Sequence, residues 1–355
     1  MKVLCIAETV YQLINAVNLV VNDPEMSKAE VDLFVRKGHF ANEDVYLERI
    51  IKERIFSAVN RYSFKDYSKF NFINHLRHVS DILFASRIIG RACSIRFRPR
   101  KYDVILTPNG CQFFKYSVLC CKKAVVYCYE DGALSYGNVN WIEREVSPLS
   151  KKILKITGQY KKLLPERVYL YNPSFFMKSW ETDVCKLPPM KDAVKSDLMH
   201  RIFGKPECDY AGVKTVFLSQ PAPVSEKVTQ RIAKGINVQF ISRLHPRNSQ
   251  NLCIKGIIDH SSSLWEMICA EYITDSHILI GACSSAQTSP KWLFGKEPYL
   301  IFTYPLYEDI EHRFIKVSEE IVTKTRIMYQ NPDKIAVVYS VDELNECIQK
   351  FLSAP

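Results

Sequence analysis

Short apolar, β-type runs alternate along this chain with segments whose apolar residues recur at helical spacing, and the alternation occurs twice. In the first half the runs are Val3–Ala7, Val31–Val35, Tyr102–Leu106 and Val125–Tyr129. In the second half they are Val213–Leu218, Val238–Leu244, His277–Ile280 and Pro298–Phe302. Between and after them, helical periods are read at Tyr11–Val21, Asn42–Ala58, Phe72–Ile89, Ser225–Lys234, Leu264–Glu271 and Val341–Leu352. Strand–helix–strand alternation demands parallel strands joined by crossover helices. The expected fold class is α/β, with two Rossmann-like domains facing a cleft. Residues 1–165 form the N-terminal domain in this reading. Pro165, Pro173, Pro188 and Pro189 punctuate a stretch of weak periodicity, so the inter-domain connection is placed at 166–195 and the C-terminal domain at 196–355.

Composition narrows the function. The chain has 355 residues with 47% hydrophobic and 24% charged, which suits a globular protein with a sizeable core and excludes a mostly disordered one. A formal net charge of +10 points to an anionic partner. The excess is spread along the chain, with denser stretches at Arg87–Lys101 and Lys151–Lys162. The segment Leu154–Pro165 is basic and amphipathic, which suits either a helix covering the sheet or one lying on an anionic membrane. No helix-turn-helix, RNP-type aromatic platform or zinc motif supports nucleic acid as the partner. The 12 cysteines include no C-x-x-C pair, and several lie in apolar strand-like runs, the pattern of reduced, buried thiols. The opening M-K-V-L-C-I-A is too short an apolar run for a secretory signal, and no stretch approaches a membrane span, so a cytoplasmic location, at most peripheral at the inner face of the membrane, is expected.

In open α/β sheets ligands are held beyond the carboxyl ends of the strands. Val125–Tyr136 reads V-V-Y-C-Y-E-D-G-A-L-S-Y and ends its apolar run on Glu130, Asp131 and Gly132. A carboxylate there can be dry enough to act as a general base, although the same residues also fit a solvated turn. Thr9 caps the first helical period, in which Gln12 stands. Thr107-Pro108-Asn109-Gly110 is a turn signal at another strand end. There is no G-x-G-x-x-G. In the second half one strand ends in Ser219-Gln220-Pro221. Another runs through Arg243 into His245-Pro246-Arg247, and arginines beside a histidine suit phosphate. Ser284 and Ser285 follow a strand and a glycine and open a helix, which offers hydroxyls and free N–H groups to an anion or simply an N-cap. Glu266 lies between these motifs, where a carboxylate either stands solvated on a helix face or accepts from the two hydroxyls of a ribose. His75 and His78 have no third ligand and are read as packed or surface side chains.

In this order, the aromatic strand ending E-D-G, the H-P after a later strand, the glutamate some twenty residues on and the paired serine resemble the bacterial sialyltransferases. The H-P-R form and the T-V-Y-Q-L-I-N-A stretch from Thr9 resemble glycosyltransferase family 52, the lipooligosaccharide sialyltransferases, most closely. The resemblance implies the GT-B architecture and an inverting, metal-independent transfer of sialic acid from CMP-sialic acid to a terminal galactose-type sugar of a lipooligosaccharide, O-antigen or capsule. It implies no cofactor. It assigns Asp131 as the general base and His245 as support for the departing phosphate, both catalytic. Donor contacts fall to Arg243, Pro246, Glu266, Ser284, Ser285 and Ser219, with the arginine standing where related families place a lysine. Acceptor-side or secondary positions are Glu130, Gly132, Asn109, Thr9 and Gln12. The expected partners are a nucleotide-sugar donor, a glycan or glycolipid acceptor and an anionic membrane surface, with a homodimer allowed and nucleic acid not expected. The alternative within the same architecture is transfer from a UDP-hexose or another CMP-linked acidic sugar.

Overall fold

A computed structural model describes residues 1–40, 42–64, 84–136, 140–176, 180–189, 197–219, 225–245, 256–308 and 312–354. The chain divides into two units, Met1–Pro188 and Pro189–Pro355.

The first unit contains, in order, β1 (Lys2–Ala7), α1 (Val10–Asn22), β2 (Glu30–Arg36), α2 (Glu43–Glu53), β3 (Ala58–Tyr62), α3 (Ala85–Ala92), β4 (Val104–Thr107), α4 (Gln112–Cys120), β5 (Val125–Tyr129), α5 (Trp141–Glu145), α6 (Pro148–Ile156), β6 (Arg167–Leu170) and β7 (Asp183–Lys186). Among the described residues its seven strands are all parallel, in the order β3-β2-β1-β4-β5-β6-β7. Central strands of such a sheet are covered on both faces and read as unbroken apolar runs, and all six residues of β1 are buried. The order reverses direction between β1 and β4, which creates a crevice at their carboxyl ends. At the opposite end of the sheet, Lys2 pairs with Asp32 at 2.7 Å and Tyr102 Oη donates to the same carboxylate at 2.8 Å, tying β1, β2 and the entry to β4 together.

The second unit continues with α7 (Asp197–Phe203), β8 (Thr215–Leu218), α8 (Glu226–Gly235), β9 (Ile241–Arg243), β10 (Ile257–Asp259), α9 (Trp265–Glu271), β11 (Ile278–Gly281), α10 (Ser285–Phe294), β12 (Tyr299–Phe302), α11 (His312–Met328), β13 (Ile335–Val337) and α12 (Val341–Leu352). Among the described residues its six parallel strands run β10-β9-β8-β11-β12-β13, reversing between β8 and β11. Side chains alternate across this sheet. Phe217, Ile278, Ile280 and Ile301 pack with Ile232 of α8 and Leu344 and Ile348 of α12. Val216, Leu218, Leu279, Leu300 and Phe302 pack on the other face with Ile268 of α9 and Val322 of α11. Each such side chain taken fully out of water contributes roughly 1.5–3 kcal/mol, so both faces are held chiefly by apolar burial.

The α/β class with two domains is what the structure shows. Differences lie at boundaries. The expected connection at 166–195 is largely structured: residues 167–186 supply β6 and β7 to the first sheet, and the two units divide at Pro188. Four-residue strands bounded by prolines have too little length for their alternation to stand out. The helix expected over Asn42–Ala58 ends at Glu53, where Arg54 takes a left-handed φ of 55°, and Ala58 opens β3. Of the helix expected at Phe72–Ile89 only the end is described, in α3; His75 and His78 lie outside the described residues. The basic stretch from Lys151 is not one helix but α6 followed by a 3₁₀ turn at Tyr160–Leu163. The cysteines among the described residues are all free.

Candidate active site

In the first unit the side chains at the β1–β4 crevice are fixed from the backbone outward. Thr9 is extended, with φ −128° and ψ 163°, and closes a capping box on α1. Its hydroxyl accepts the Gln12 N–H at 3.2 Å, while Gln12 Oε1 accepts the N–H groups of Glu8 at 2.6 Å and Thr9 at 3.2 Å. With its carbonyl occupied by two backbone donors, the Gln12 amide can present only its NH₂ elsewhere, and it donates to Asp131 Oδ1 at 2.8 Å. Asn109 is oriented in the same way. Its Oδ1 accepts Cys111 N–H at 3.1 Å, which leaves Nδ2 3.4 Å from Asp131 Oδ2. The turn bearing Asn109 is wedged in place. Trp141 Nε1 donates to the Pro108 carbonyl at 2.7 Å, and a β-carbon on Gly110 would lie 2.3 Å from the Ile142 carbonyl oxygen, so only glycine fits there.

Asp131 follows β5 and is half-buried. Burial pushes its carboxyl up to about 7, against the pull of the Gln12 and Asn109 donors. Its own N–H donates to Ser135 Oγ at 2.8 Å. Gly132 then takes φ +83°, and no heavy atom lies within 4 Å of where its β-carbon would stand. The turn is open on that side. The arrangement gives a carboxylate with access to solvent, two fixed amide donors and an affinity for protons matched to neutral pH, which are the properties of a general base.

Glu130 points the other way and is fully buried. Burial raises it to about 7, although Tyr136 Oη, the Tyr171 N–H at 3.0 Å and Tyr11 Oη at 2.8 Å all donate to it. Its carbonyl accepts from Asn15 Nδ2 at 3.1 Å, and Asn15 Oδ1 accepts from Tyr171 Oη at 2.7 Å. Two adjacent carboxylates thus have separate surroundings: Glu130 is sealed in a tyrosine cage that joins α1, β5 and the end of β6, and Asp131 faces the crevice. Glu8 is also buried here; it accepts from Tyr62 Oη at 2.7 Å and lies 3.7 Å from Arg36. Tyr11, Asn15, Tyr136, Tyr171 and Glu8 were not among the residues singled out in the sequence. One signal was present: Gln12, Asn15 and Asn18 recur every three residues on an otherwise apolar helix, and all three prove buried. A buried amide stripe must find partners.

In the second unit Ser219 is buried between strand ends. Its N–H donates to the Arg243 carbonyl at 3.1 Å, and its hydroxyl accepts the His245 N–H at 2.7 Å. Ser219 therefore sets the path of the chain as it leaves β9. Pro246 lies outside the described residues. The Arg243 guanidinium turns toward β10: it donates to Asp259 Oδ2 at 2.8 Å, to Ser261 Oγ at 3.3 Å and to the Ser263 carbonyl. Burial would raise Asp259, but Arg243, Tyr210 and Ser261 together hold it below the usual carboxylate range. Glu266, in the first turn of α9, is buried, and burial raises its carboxyl while Arg243 pulls it down. Ser284 closes a capping box on α10 through Ala286 and Gln287, and Trp265 Nε1 donates to the Ala286 carbonyl at 2.7 Å, packing α9 on α10. Ser285 is exposed at the first position of that helix. Among the described residues no group of three or more His, Cys, Asp or Glu is placed to hold a metal ion.

No protein-family model and no curated protein sequence matches this chain. Solved structures do. Arabidopsis thaliana UGT89C1 complexed with UDP aligns over 100% of this chain and 91% of its own, with a TM-score of 0.54 at 12% identity. Phytolacca americana UGT2 complexed with UDP-2fluoro-glucose and pterostilbene aligns over 99% and 90%, with 0.51 at 10% identity. The glycosyltransferase VinC in complex with DTDP aligns over 100% and 92%, with 0.50 at 9% identity. The chain has the two-domain α/β fold of these GT-B structures.

Proposed function

We propose that this chain is an inverting, metal-independent sialyltransferase that moves sialic acid from CMP-sialic acid to a terminal galactose-type sugar of a cell-surface glycan. The observation that carries the reading is the Asp131 carboxylate, raised to about 7 and held by Gln12 and Asn109 at the carboxyl ends of the strands. The acceptor hydroxyl oxygen attacks the anomeric carbon while Asp131 takes its proton. The bond from that carbon to the CMP phosphate oxygen breaks, and its electron pair leaves with the phosphate, inverting the centre. The transition state resembles an oxocarbenium ion, by analogy with glycoside cleavage. Charge growing on the phosphate calls for cationic and N–H donors. In this reading His245, Ser284, Ser285 and the N-terminus of α10 serve the phosphate and Glu266 the ribose, with Ser219 and Arg243 fixing the ends of β8 and β9.

A second reading, transfer from another nucleotide sugar, is favoured by the neighbours whose structures hold UDP-2fluoro-glucose, UDP and DTDP. Incubation with CMP-sialic acid and a labelled lactoside in EDTA should give sialylated product. Product only with a UDP-hexose supports the second reading, and no product with any nucleotide sugar ends both.

A further inference from the structure

One face of the first unit carries a feature that the transfer chemistry does not use. α3 buries Ala85 and Ile89 and turns its other side to solvent. Arg87 and Arg91 lie there, followed by Arg96, Arg98 and Arg100, all exposed. No acidic residue occurs from position 84 to 102. Among the described residues none of these five arginines forms an ion pair; the pairing in this region runs instead from Lys101 to Asp32 at 3.1 Å. Phe84 is 56% exposed and Ile95 37%. The Arg87 guanidinium carbon sits 5.8 Å from the Phe84 ring centroid. Arg87, Arg91, Ser94 and Arg96 line an open groove of about 500 Å3.

The topology extends this surface. The β3→β4, β4→β5 and β5→β6 connections all cross the sheet in the same direction, so right-handed crossovers place α3, α4 and α6 on the same face. Just beyond α6, Lys162 Nζ donates to the carbonyls of Cys121 at 3.1 Å and Lys122 at 2.9 Å, at the end of α4. α6 repeats the pattern seen at α3: Ile156 is 76% exposed, beside exposed Lys152 and Lys155.

We propose that this face docks onto an anionic phospholipid bilayer, with the arginines and lysines at headgroup phosphates and Phe84, Ile95 and Ile156 entering the acyl boundary. A polyanion such as RNA satisfies cations but gives exposed isoleucines nothing to enter. A bilayer rewards both, and the same pairing of cation with exposed apolar side chain occurs at two separate helices.

The test is co-sedimentation of the full chain with vesicles of phosphatidylcholine mixed with phosphatidylglycerol, against phosphatidylcholine alone, without any sugar substrate. It therefore stands or falls separately from the transferase reading. Binding to the anionic vesicles only, weakened by salt, is expected. A basic residue at such a surface contributes roughly fivefold, so R87E/R91E/R96E should lose about 100-fold or more. F84S/I95S/I156S should lose at least about tenfold at unchanged charge. Arg91→Glu alone should lose about fivefold or more, which keeps the test sharp if a triple variant unfolds. K227E/K234E/K350E, the same charge change on exposed lysines of the second unit, should bind like the parent. Failure to sediment with anionic vesicles overturns the proposal. So does an equal loss in the second-unit variant, which would make net charge the cause. Unchanged vesicle binding by the apolar variant, together with RNA binding of equal strength, would assign the surface to a polyanion instead.

Discussion

As the proposed general base Asp131 has to be ionised to take a proton, yet burial favours its protonated form. With its carboxyl at about 7, kcat/KM for transfer should rise about tenfold per pH unit below neutrality and level off above it, as read from a pH–rate profile. Asp131→Asn should lower kcat by a factor on the order of 10²–10⁴ while nucleotide binding persists. Gln12 donates to the ionised form, so Gln12→Ala should move the acid limb of the profile to higher pH, a shift that a merely structural role would not produce. Glu130 makes a separate prediction. Its carboxyl is raised above the unfolded value, so its contribution is full below the ordinary carboxylate pKa and is lost as pH rises through about 7. The displacement from 4.5 corresponds to roughly 3 kcal/mol. The stability difference between the parent and Glu130→Gln, measured by denaturant unfolding, should therefore change by up to that amount between pH 4.5 and 8, in favour of the variant at the higher pH.

Two helices open on capping boxes at strand ends, α1 on Thr9 and α10 on Ser284. An N-cap hydroxyl contributes about 1 kcal/mol, and Thr9→Ala and Ser284→Ala should each lower stability by about that much. Thr9→Ala keeps the backbone N–H groups of Glu8 and Thr9 that hold Gln12 Oε1, so both cap variants should leave the pH profile in place, unlike Gln12→Ala. The α1 cap was legible because a threonine stands immediately before an apolar helical period. The tyrosine cage was not, because Tyr11, Tyr136 and Tyr171 are far apart in sequence and meet only when β5 and β6 pair beside α1.

At the scale of the molecule, each unit has its own sheet, and the second unit has its own apolar packing on both faces of that sheet. A ligand that binds only the folded state stabilises it by about 2.7 kcal/mol at a hundredfold excess over Kd. CMP should thus raise the thermal midpoint of the full chain by several degrees and UDP should not. A response to UDP alone would point to the other donor class.

The alternation of apolar runs with helical periods determined the α/β class, because parallel strands buried on both faces cannot be polar and their crossovers must be amphipathic. Polar residues at the ends of those runs marked the candidate site, since a parallel sheet brings every carboxyl end to one edge. Local pattern stopped there. It could not show that residues 167–186 belong to the first sheet, because that depends on Tyr127 pairing with Arg167, forty residues on. Nor could it tell Glu130 from Asp131 by environment: side chains alternate across a strand, and only the packing of α1 against the end of β5 decides which carboxylate is sealed and which faces the crevice.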